Sequence, residues 1–378
     1  MTLKTLNIVF QRINIVIFLL VVFSPCLWMF FGPQEVFSFA EKRLLATFPS
    51  IPASLPQVKS YFSDIDNYLN DHFGFRDWMV FRYQTEVKKR FDINTVSKVH
   101  KGTNDWYFYT GMKTLENFTG RHLLNTNDLN NWIETYKGKQ RWLEKQGILY
   151  LFVVPPDKPT IYGEFVGEPW LSKKGKTRLS QLKSVIEVDE KSPFLDLSPK
   201  LVEMGRDEIL FFKSDTHWNQ YGAYLAYLTM AEKIESLFPG IQFKKDFTFS
   251  KTIKRKCEQK SSTCGDLTNM LLNYDSFDES FKVVDEFPHC AVDQEFNYNF
   301  SNLSTTAEDP YIAKSCPSKE LRALVFRDSF FIALEPYFSE NFKEVIYLWK
   351  SYDQKNIEEL LTVFKPDIVI EEKAERNL

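Results

Sequence analysis

A surplus of basic charge, zinc-type cysteine spacing, internal repeats and long low-complexity stretches are all missing from this sequence, and each absence removes a class of function. The 47 Lys and Arg residues are outnumbered by 50 Asp and Glu, for a net charge of -3. No excess cation is left to neutralise a phosphate backbone, which argues against a nucleic-acid partner. Cysteine is scarce, five residues in 378, and none stands in the C-x-x-C spacing of a structural zinc site. The composition, 44% hydrophobic against 26% charged, excludes a disordered chain. What is abundant is aromatic: 35 Phe, 17 Tyr and 8 Trp predict a core rich in rings.

A long apolar run occurs near the N-terminus, at residues 13–32 (INIVIFLLVVFSPCLWMFFG). It carries no charge, and about 20 residues at roughly 1.5 Å each span the hydrocarbon of a bilayer once. Lys4 and Arg12 precede it. Because positive flanks stay in the cytoplasm, residues 1–12 are expected inside and the bulk of the chain outside, with one membrane crossing. The alternative is a cleaved signal peptide. Cysteine placement fits export: Cys26 lies in the apolar run, whereas Cys257, Cys264, Cys290 and Cys316 all follow it. Four cysteines in an oxidising compartment suit two disulfides, with three connectivities open.

The remainder is long enough for one large or two modest domains. Residues 33–127 read as an extended linker followed by helical segments, with helix-period apolar residues over 58–91 interrupted by DHFGFRD at 71–77. From 128 onward the pattern changes. A helix is predicted over 128–146, capped by Asp128, closed by Gly147 and burying Trp132, Tyr136 and Leu143. The apolar run 148–154 then reads as a buried parallel strand ending at Pro155-Pro156. Strands at 321–326, 345–349 and 367–371 alternate with helices at 329–339 and 356–364. This alternation predicts a doubly wound parallel sheet, an α/β fold, over 128–378. A further helix over 219–237 is followed by an irregular, cysteine-bearing insertion at about 244–306.

Reactive groups in such a sheet gather beyond the carboxyl ends of the strands. Ser329 follows the strand 321–326 at the presumed start of a helix, where a backbone amide can face an oxyanion. The competing reading of the Asp328-Ser329 pair is a helix N-cap, serine or aspartate. Asp215 and His217 stand in the run Ser214-Asp215-Thr216-His217-Trp218-Asn219. With one residue between them on a turn, the carboxylate can reach Nδ1 and leave Nε2 free for Ser329, the arrangement that activates a serine hydroxyl. The competing readings are Asp215 as a cap, His217 as a packing residue, and a metal site made of Asp215, His217 and Asp328.

The two pieces, DTHWN at 215–219 and DSF at 328–330, resemble the SGNH-hydrolase-like alginate O-acetyltransferase family and its relatives marked by an Asp-His-His-Trp motif. The likeness extends to EKRLLATFP at 41–49, NDHFGFRD at 70–77, VHKGTNDWYFY from Val99, VVPPDKPTIY from Val153, FLDL from Phe194, GDL from Gly265 and KPDIVIEEKAER from Lys365. The resemblance implies an SGNH-hydrolase-like, flavodoxin-like sheet. It also implies an enzyme that moves acetyl groups onto hydroxyls of an exopolysaccharide, with Ser329 as nucleophile, His217 as base and then acid, and Asp215 as its orienter. Arg327 and Asp157 stand where the alginate branch usually has Gly and Asn. Asn219, Lys158 and Arg376 are candidates for polar contacts with substrate. No bound cofactor is expected. The acetyl group should come from a donor or partner protein, and the resemblance implies a multi-spanning membrane O-acyltransferase beside the chain. A carbohydrate acetyl esterase, or a non-catalytic polysaccharide-binding or scaffold subunit, is the alternative.

Overall fold

A computed structural model describes residues 3–378 except 34, 39–42, 53, 92–97, 187–191, 257–263, 272–277, 288–289 and 297–310. The chain divides into two units, Met1–Ser97 with Thr268–Tyr274, and Lys98–Leu267 with Asp275–Leu378. In the first, the apolar run lies within a helix at Leu3–Phe31 that contains Pro25. Its portion Phe10–Phe31 is long and apolar enough to cross a membrane, as an anchor or a signal segment would be. A short pair, β1 (Phe37–Ser38) and β2 (Arg43–Leu44), follows. The helices Leu55–Asp71 and Arg76–Phe91 flank the break that DHFGFRD predicts. Asp71 Oδ2 accepts the Ala46 amide at 2.8 Å, and His72 Nε2 lies 2.9 Å from the Ala46 carbonyl.

The second unit begins with a hairpin, β3 (Val99–Lys101) and β4 (Tyr107–Tyr109). Its sheet holds β5 (Leu149–Val154) and β6 (Phe194–Asp196); a separate antiparallel pair is β7 (Lys251–Lys256) and β8 (Asp278–Val283). The sheet is completed by β9 (Val292–Asp293), β10 (Ile312–Ser315), β11 (Arg322–Phe326), β12 (Glu344–Leu348) and β13 (Ile368–Glu372). Its order is β6-β5-β13-β11-β12-β10-β9. The first five are mutually parallel, β10 runs antiparallel to β12, and β9 at the edge runs antiparallel to β10. The sheet is therefore mixed, not wholly parallel as the sequence predicts. Only residues 316–321 separate β10 from β11, too few for the helical crossover that a parallel course needs.

Strand alternation distributes the core over both faces. Leu151, Val153, Ala323, Val325, Ile368 and Ile370 point to one, where the helix Gln220–Leu237 packs with Ala223, Tyr227, Met230 and Ile234. Tyr150, Phe152, Leu324, Phe326 and Val369 point to the other, against Tyr136 and Leu143 of the helix Thr126–Glu144 and Ile357, Leu360 and Phe364 of Gln354–Phe364. Runs such as LYLFVV and RALVF read as continuously apolar because both faces are covered. The helix Thr126–Glu144 starts earlier than the sequence predicts: Asn125 is the cap, its Oδ1 accepting the Asp128 amide at 2.9 Å. Gly147 adopts φ +74° while its amide reaches the Glu144 carbonyl at 3.0 Å, so the chain turns out of the helix where a Cβ would strain it. The helix expected over 329–339 is split into a 3₁₀ segment, Ser329–Ala333, and an α-helix, Glu335–Ser339. Pro336 has no amide to continue a helix from Ile332, so a new helix starts around it.

Parallel register sets Phe326 beside both Leu348 and Glu371, Glu372 beside Val153, and Val154 beside Asp196. The segments after β5, β11 and β13 thus leave the sheet at one edge. Cys290 and Cys316 form a disulfide across 26 residues of separation, Cα atoms 5.1 Å apart. Cys264 is also disulfide-bonded, Cys26 is free, and Cys257 lies outside the described residues. Closing a loop of that length stabilises a fold by about 3 kcal/mol. Cys290→Ser should lower the unfolding free energy by about that amount, read from urea denaturation without reductant, with the wild-type circular dichroism spectrum retained.

Candidate functional site

The site forms where the 212–219 segment meets the end of β11. Leu210 and Asn219 are joined by an amide-to-carbonyl bond of 2.8 Å, and Phe212 and His217 by another of 3.2 Å, so 213–216 is the tip of a tight loop. Asn219 ends it. Its Oδ1 caps the helix Gln220–Leu237 through the Gly222 amide at 2.9 Å, and its Nδ2 donates to the Ile209 carbonyl at 2.5 Å. Trp218 is buried beside it, Nε1 donating to the Phe330 carbonyl at 3.1 Å. That bond fastens the loop directly to the residue after Ser329.

Ser329 opens its 3₁₀ segment, half-buried, with Asp328 as the cap: Asp328 Oδ1 accepts the Phe330 amide at 2.9 Å and Oδ2 the Ala374 amide at 3.0 Å. Asp328 is thus the cap, and the Ser329 side chain faces the loop. Ser329 Oγ lies 2.7 Å from His217 Nε2, and His217 Nδ1 lies 2.7 Å from Asp215 Oδ1. A carboxylate at Nδ1 assigns the ring proton there, so Nε2 accepts from the serine hydroxyl. Asp328, engaged with Phe330 and Ala374, is not part of an Asp215–His217 metal set. The acids that gather round His217 are Asp215 and Asp266, whose oxygens and the imidazole nitrogen lie within 4.8 Å of one another.

Asp266 belongs to the GDL motif, to which the sequence assigned no role. Its Oδ1 accepts the Thr216 amide at 2.7 Å, its Oδ2 the Thr216 hydroxyl at 2.5 Å, and its own amide donates to Asp215 Oδ2 at 3.2 Å. Asp266 Oδ2 stands 3.7 Å from His217 Nδ1 against 2.7 Å for Asp215, so Asp215 orients the ring and Asp266 braces the loop. Gly265 makes this possible: a Cβ there would fall 2.1 Å from the Ser214 carbonyl oxygen. On the same side, Arg255 of β7 donates Nη2 to the Cys264 carbonyl at 3.0 Å and pairs with Asp215 Oδ2 at 3.4 Å, while Glu279 of β8 accepts the Ser214 amide at 2.7 Å. None of these four supporting residues stands near His217 in sequence, and only Gly265 and Asp266 belong to a string, GDL, that the resemblance includes.

The three residues expected to contact substrate lie buried or nearly so. Asn219 is buried, its Oδ1 engaged in the cap and its Nδ2 with the Ile209 carbonyl. Lys158 is buried, its ammonium turned inward. Arg376 is nearly buried, with Nε 2.7 Å from Asp157 Oδ1 and its guanidinium 5.1 Å from the Phe330 ring centroid. It borders, with Asp328, Trp349 and Lys373, a cavity of about 650 Å³. Burial pushes the Asp157 carboxyl up despite that guanidinium. Burial, then the charge of Asp157, pushes Glu375 up to about 7. Glu375 Oε2 accepts the Asp157 amide at 3.0 Å and the Thr160 hydroxyl at 2.6 Å, tying the segment after β5 to the segment after β13. Arg327 turns inward as well, Nη2 3.2 Å from Glu335 Oε1 and its guanidinium 4.4 Å from the Trp349 ring.

A family model described as an SGNH hydrolase-like domain, acetyltransferase AlgX, matches residues 99–307, more than half of the chain. The match includes Asp215, His217 and Asp266 and stops short of Ser329. No curated protein matches. Among solved structures the chain is similar to Bacillus cereus PatB1 (15% identity, TM-score 0.47, covering 74% of this chain and 96% of that one). It is also similar to a DHHW family protein from Eubacterium siraeum (13%, 0.46, 71% and 87%) and to the O-acetyltransferase domain of Pseudomonas putida AlgJ (17%, 0.44, 74% and 91%).

An aryl sulfonyl fluoride should modify Ser329 in the intact protein, located by peptide mass spectrometry. Ser329→Ala should take no label. His217→Ala should label at least about a hundredfold more slowly, the scale of a lost general base. Asp266→Asn should slow labelling by about tenfold, the scale of one lost charge-assisted hydrogen bond.

Proposed function

The chain belongs to the family of SGNH hydrolase-like AlgX acetyltransferases, and on that premise we propose that it transfers acetyl groups to hydroxyls of an exopolysaccharide through an ester on Ser329. The observation that carries the reading is the unbroken line Asp215 Oδ1–His217 Nδ1, His217 Nε2–Ser329 Oγ, both links 2.7 Å. As Ser329 Oγ attacks the acetyl carbonyl of a donor ester, its proton passes to His217 Nε2. The imidazolium, stabilised by Asp215, returns that proton to the departing donor oxygen, leaving acetyl-Ser329. An acceptor hydroxyl then gives its proton to Nε2 as its oxygen attacks, and Ser329 Oγ leaves and recovers the proton. The Ser329 amide, at the first position of a 3₁₀ segment, is among the donors that such a segment leaves unbonded and serves the developing oxyanion.

In this reading the helix Leu3–Phe31 is an anchor in a bacterial inner membrane and the α/β unit works in the periplasm. Cytoplasmic acetyl donors are too polar to cross a bilayer unaided. The site is therefore supplied by a multi-spanning membrane O-acyltransferase, and the chain itself holds no resident cofactor.

The test is incubation of the full-length protein in detergent with an acetyl ester donor and a panel of oligosaccharides. The expected outcome is an acceptor heavier by about 42 Da, one acetyl group in place of a proton, with no gain for Ser329→Ala. Free acetate alone, with no acetylated acceptor anywhere in the panel, would make the chain an esterase. In cells, exporting the chain without residues 13–32 should preserve cleavage of a soluble ester and reduce acetylation of the polymer.

A further inference from the structure

The reaction as derived leaves the buried ammonium of Lys158 unused. Lys158 follows β5 and Pro155-Pro156 and opens a single helical turn, Lys158–Ile161, on the edge of the sheet shared with Ser329. It is 3% exposed. Its Nζ donates to the Phe212 carbonyl at 3.0 Å, the Lys213 carbonyl at 3.0 Å and the Asp215 carbonyl at 2.6 Å. An ammonium has three N–H donors and no acceptor, so this geometry spends every one of them on the backbone that carries Asp215 and leads into His217. The remaining faces of the ammonium meet aromatic rings, Trp106 at 5.6 Å and Phe108 at 5.4 Å, which exclude water and favour a cation.

We propose that Lys158 is a positioning residue for the acyl-transfer site, its ammonium fixing the 212–215 backbone so that His217 meets Ser329. The three carbonyls converge on one point, and only a group with three donors satisfies them together. The loop is thus held from two sides: Asp266 and Glu279 bind its amides, and Lys158 binds its carbonyls. A shift of the loop by a fraction of the 2.7 Å between Nε2 and Oγ is enough to break the proton path. Misplacement by about 1 Å costs on the order of a hundredfold in rate.

The charge state of the clamp gives a readout that simple packing lacks. Burial pushes the Lys158 ammonium down to about 7; Asp266, Asp215 and Glu279 favour its charged form, and Arg376 opposes it. Below that value all three bonds are made. Above it, loss of the proton leaves two donors for three carbonyls, so the positioning weakens as pH rises.

The inference rests on Ser329 and His217 being nucleophile and base, and the experiment separates the two. Full-length wild type, Lys158→Met and Lys158→Arg are compared by sulfonyl fluoride labelling of Ser329 and by kcat and KM for 4-nitrophenyl acetate, from pH 6 to 9. Lys158→Met should label about a hundredfold more slowly, with kcat reduced and KM nearly unchanged. In wild type the rate should fall as pH rises through the Lys158 ionisation. Lys158→Arg, which stays charged, should recover much of the rate at pH 6 and lose that alkaline decline. Labelled wild type with an equally reactive Lys158→Met, or wild-type and Lys158→Arg pH profiles that superimpose, would overturn the inference alone. Unlabelled wild type would overturn the nucleophile reading and this inference with it. Should Lys158→Met fail to fold, the comparison of the Arg variant with wild type across pH decides.

Discussion

The bond between His217 Nε2 and Ser329 Oγ joins residues 112 apart in the chain, and most of the second unit is organised by the need to keep that 2.7 Å contact. Ser329 is fixed by the sheet: β11 lies between two parallel neighbours, and Asp328 is bonded on both carboxylate oxygens. His217 has no such scaffold, since it sits on a loop between the helices Ser198–Met204 and Gln220–Leu237. A loop reaches comparable rigidity only if its backbone groups are bonded one by one. That is what is observed, with Ser214 held by Glu279, Thr216 by Asp266, and the carbonyls of 212, 213 and 215 by Lys158.

This division explains the distribution of charge at the sheet edge. The reacting pair is only part-buried, with the His217 side chain 26% exposed, while the supporting groups Asp157, Lys158, Asp266, Arg327, Glu372 and Glu375 are all buried. Lys158 and Asp266 have the fixed hydrogen-bond partners that a buried charge requires. Arg376 joins these systems: its Nε pairs with Asp157, and its guanidinium lies over the Phe330 ring, whose centroid is 5.0 Å from that of His217.

Ser329 stands 112 positions beyond His217, and only the resemblance joined it to Asp215 and His217. The Asp215–His217 contact was legible in the sequence because it is local: two residues apart on a turn, the carboxylate can reach Nδ1. The alternation of strands and helices was legible for a similar reason, since runs covered on both faces lose their polar positions. The antiparallel edge was not, because the direction of β10 depends on a short link and leaves no trace in its own four residues. Nor was the inward course of Lys158 and Asn219. Lysine and asparagine after a strand or before a helix look like surface residues, and only the convergence of three carbonyls, or of a helix amide and the Ile209 carbonyl, turns them inside. Asp266 was visible as part of GDL, but its partner Thr216 lies 50 positions away, a distance across which a single sequence carries no pairing signal.

The acids beneath the site have a bearing on acid tolerance. Asp157, Glu372 and Glu375 are all shifted upward, chiefly by burial. A carboxyl raised in the folded state keeps a proton that the unfolded chain releases, so its contribution to stability is complete below the ordinary carboxylate range and is lost as pH rises through the folded value. For Glu375 that window runs from its ordinary 4.5 to about 7. Acid unfolding usually follows from carboxylates that must be protonated against their native partners; here part of that protonation has already been built into the fold. This end of the sheet is therefore held more firmly as the medium turns mildly acid.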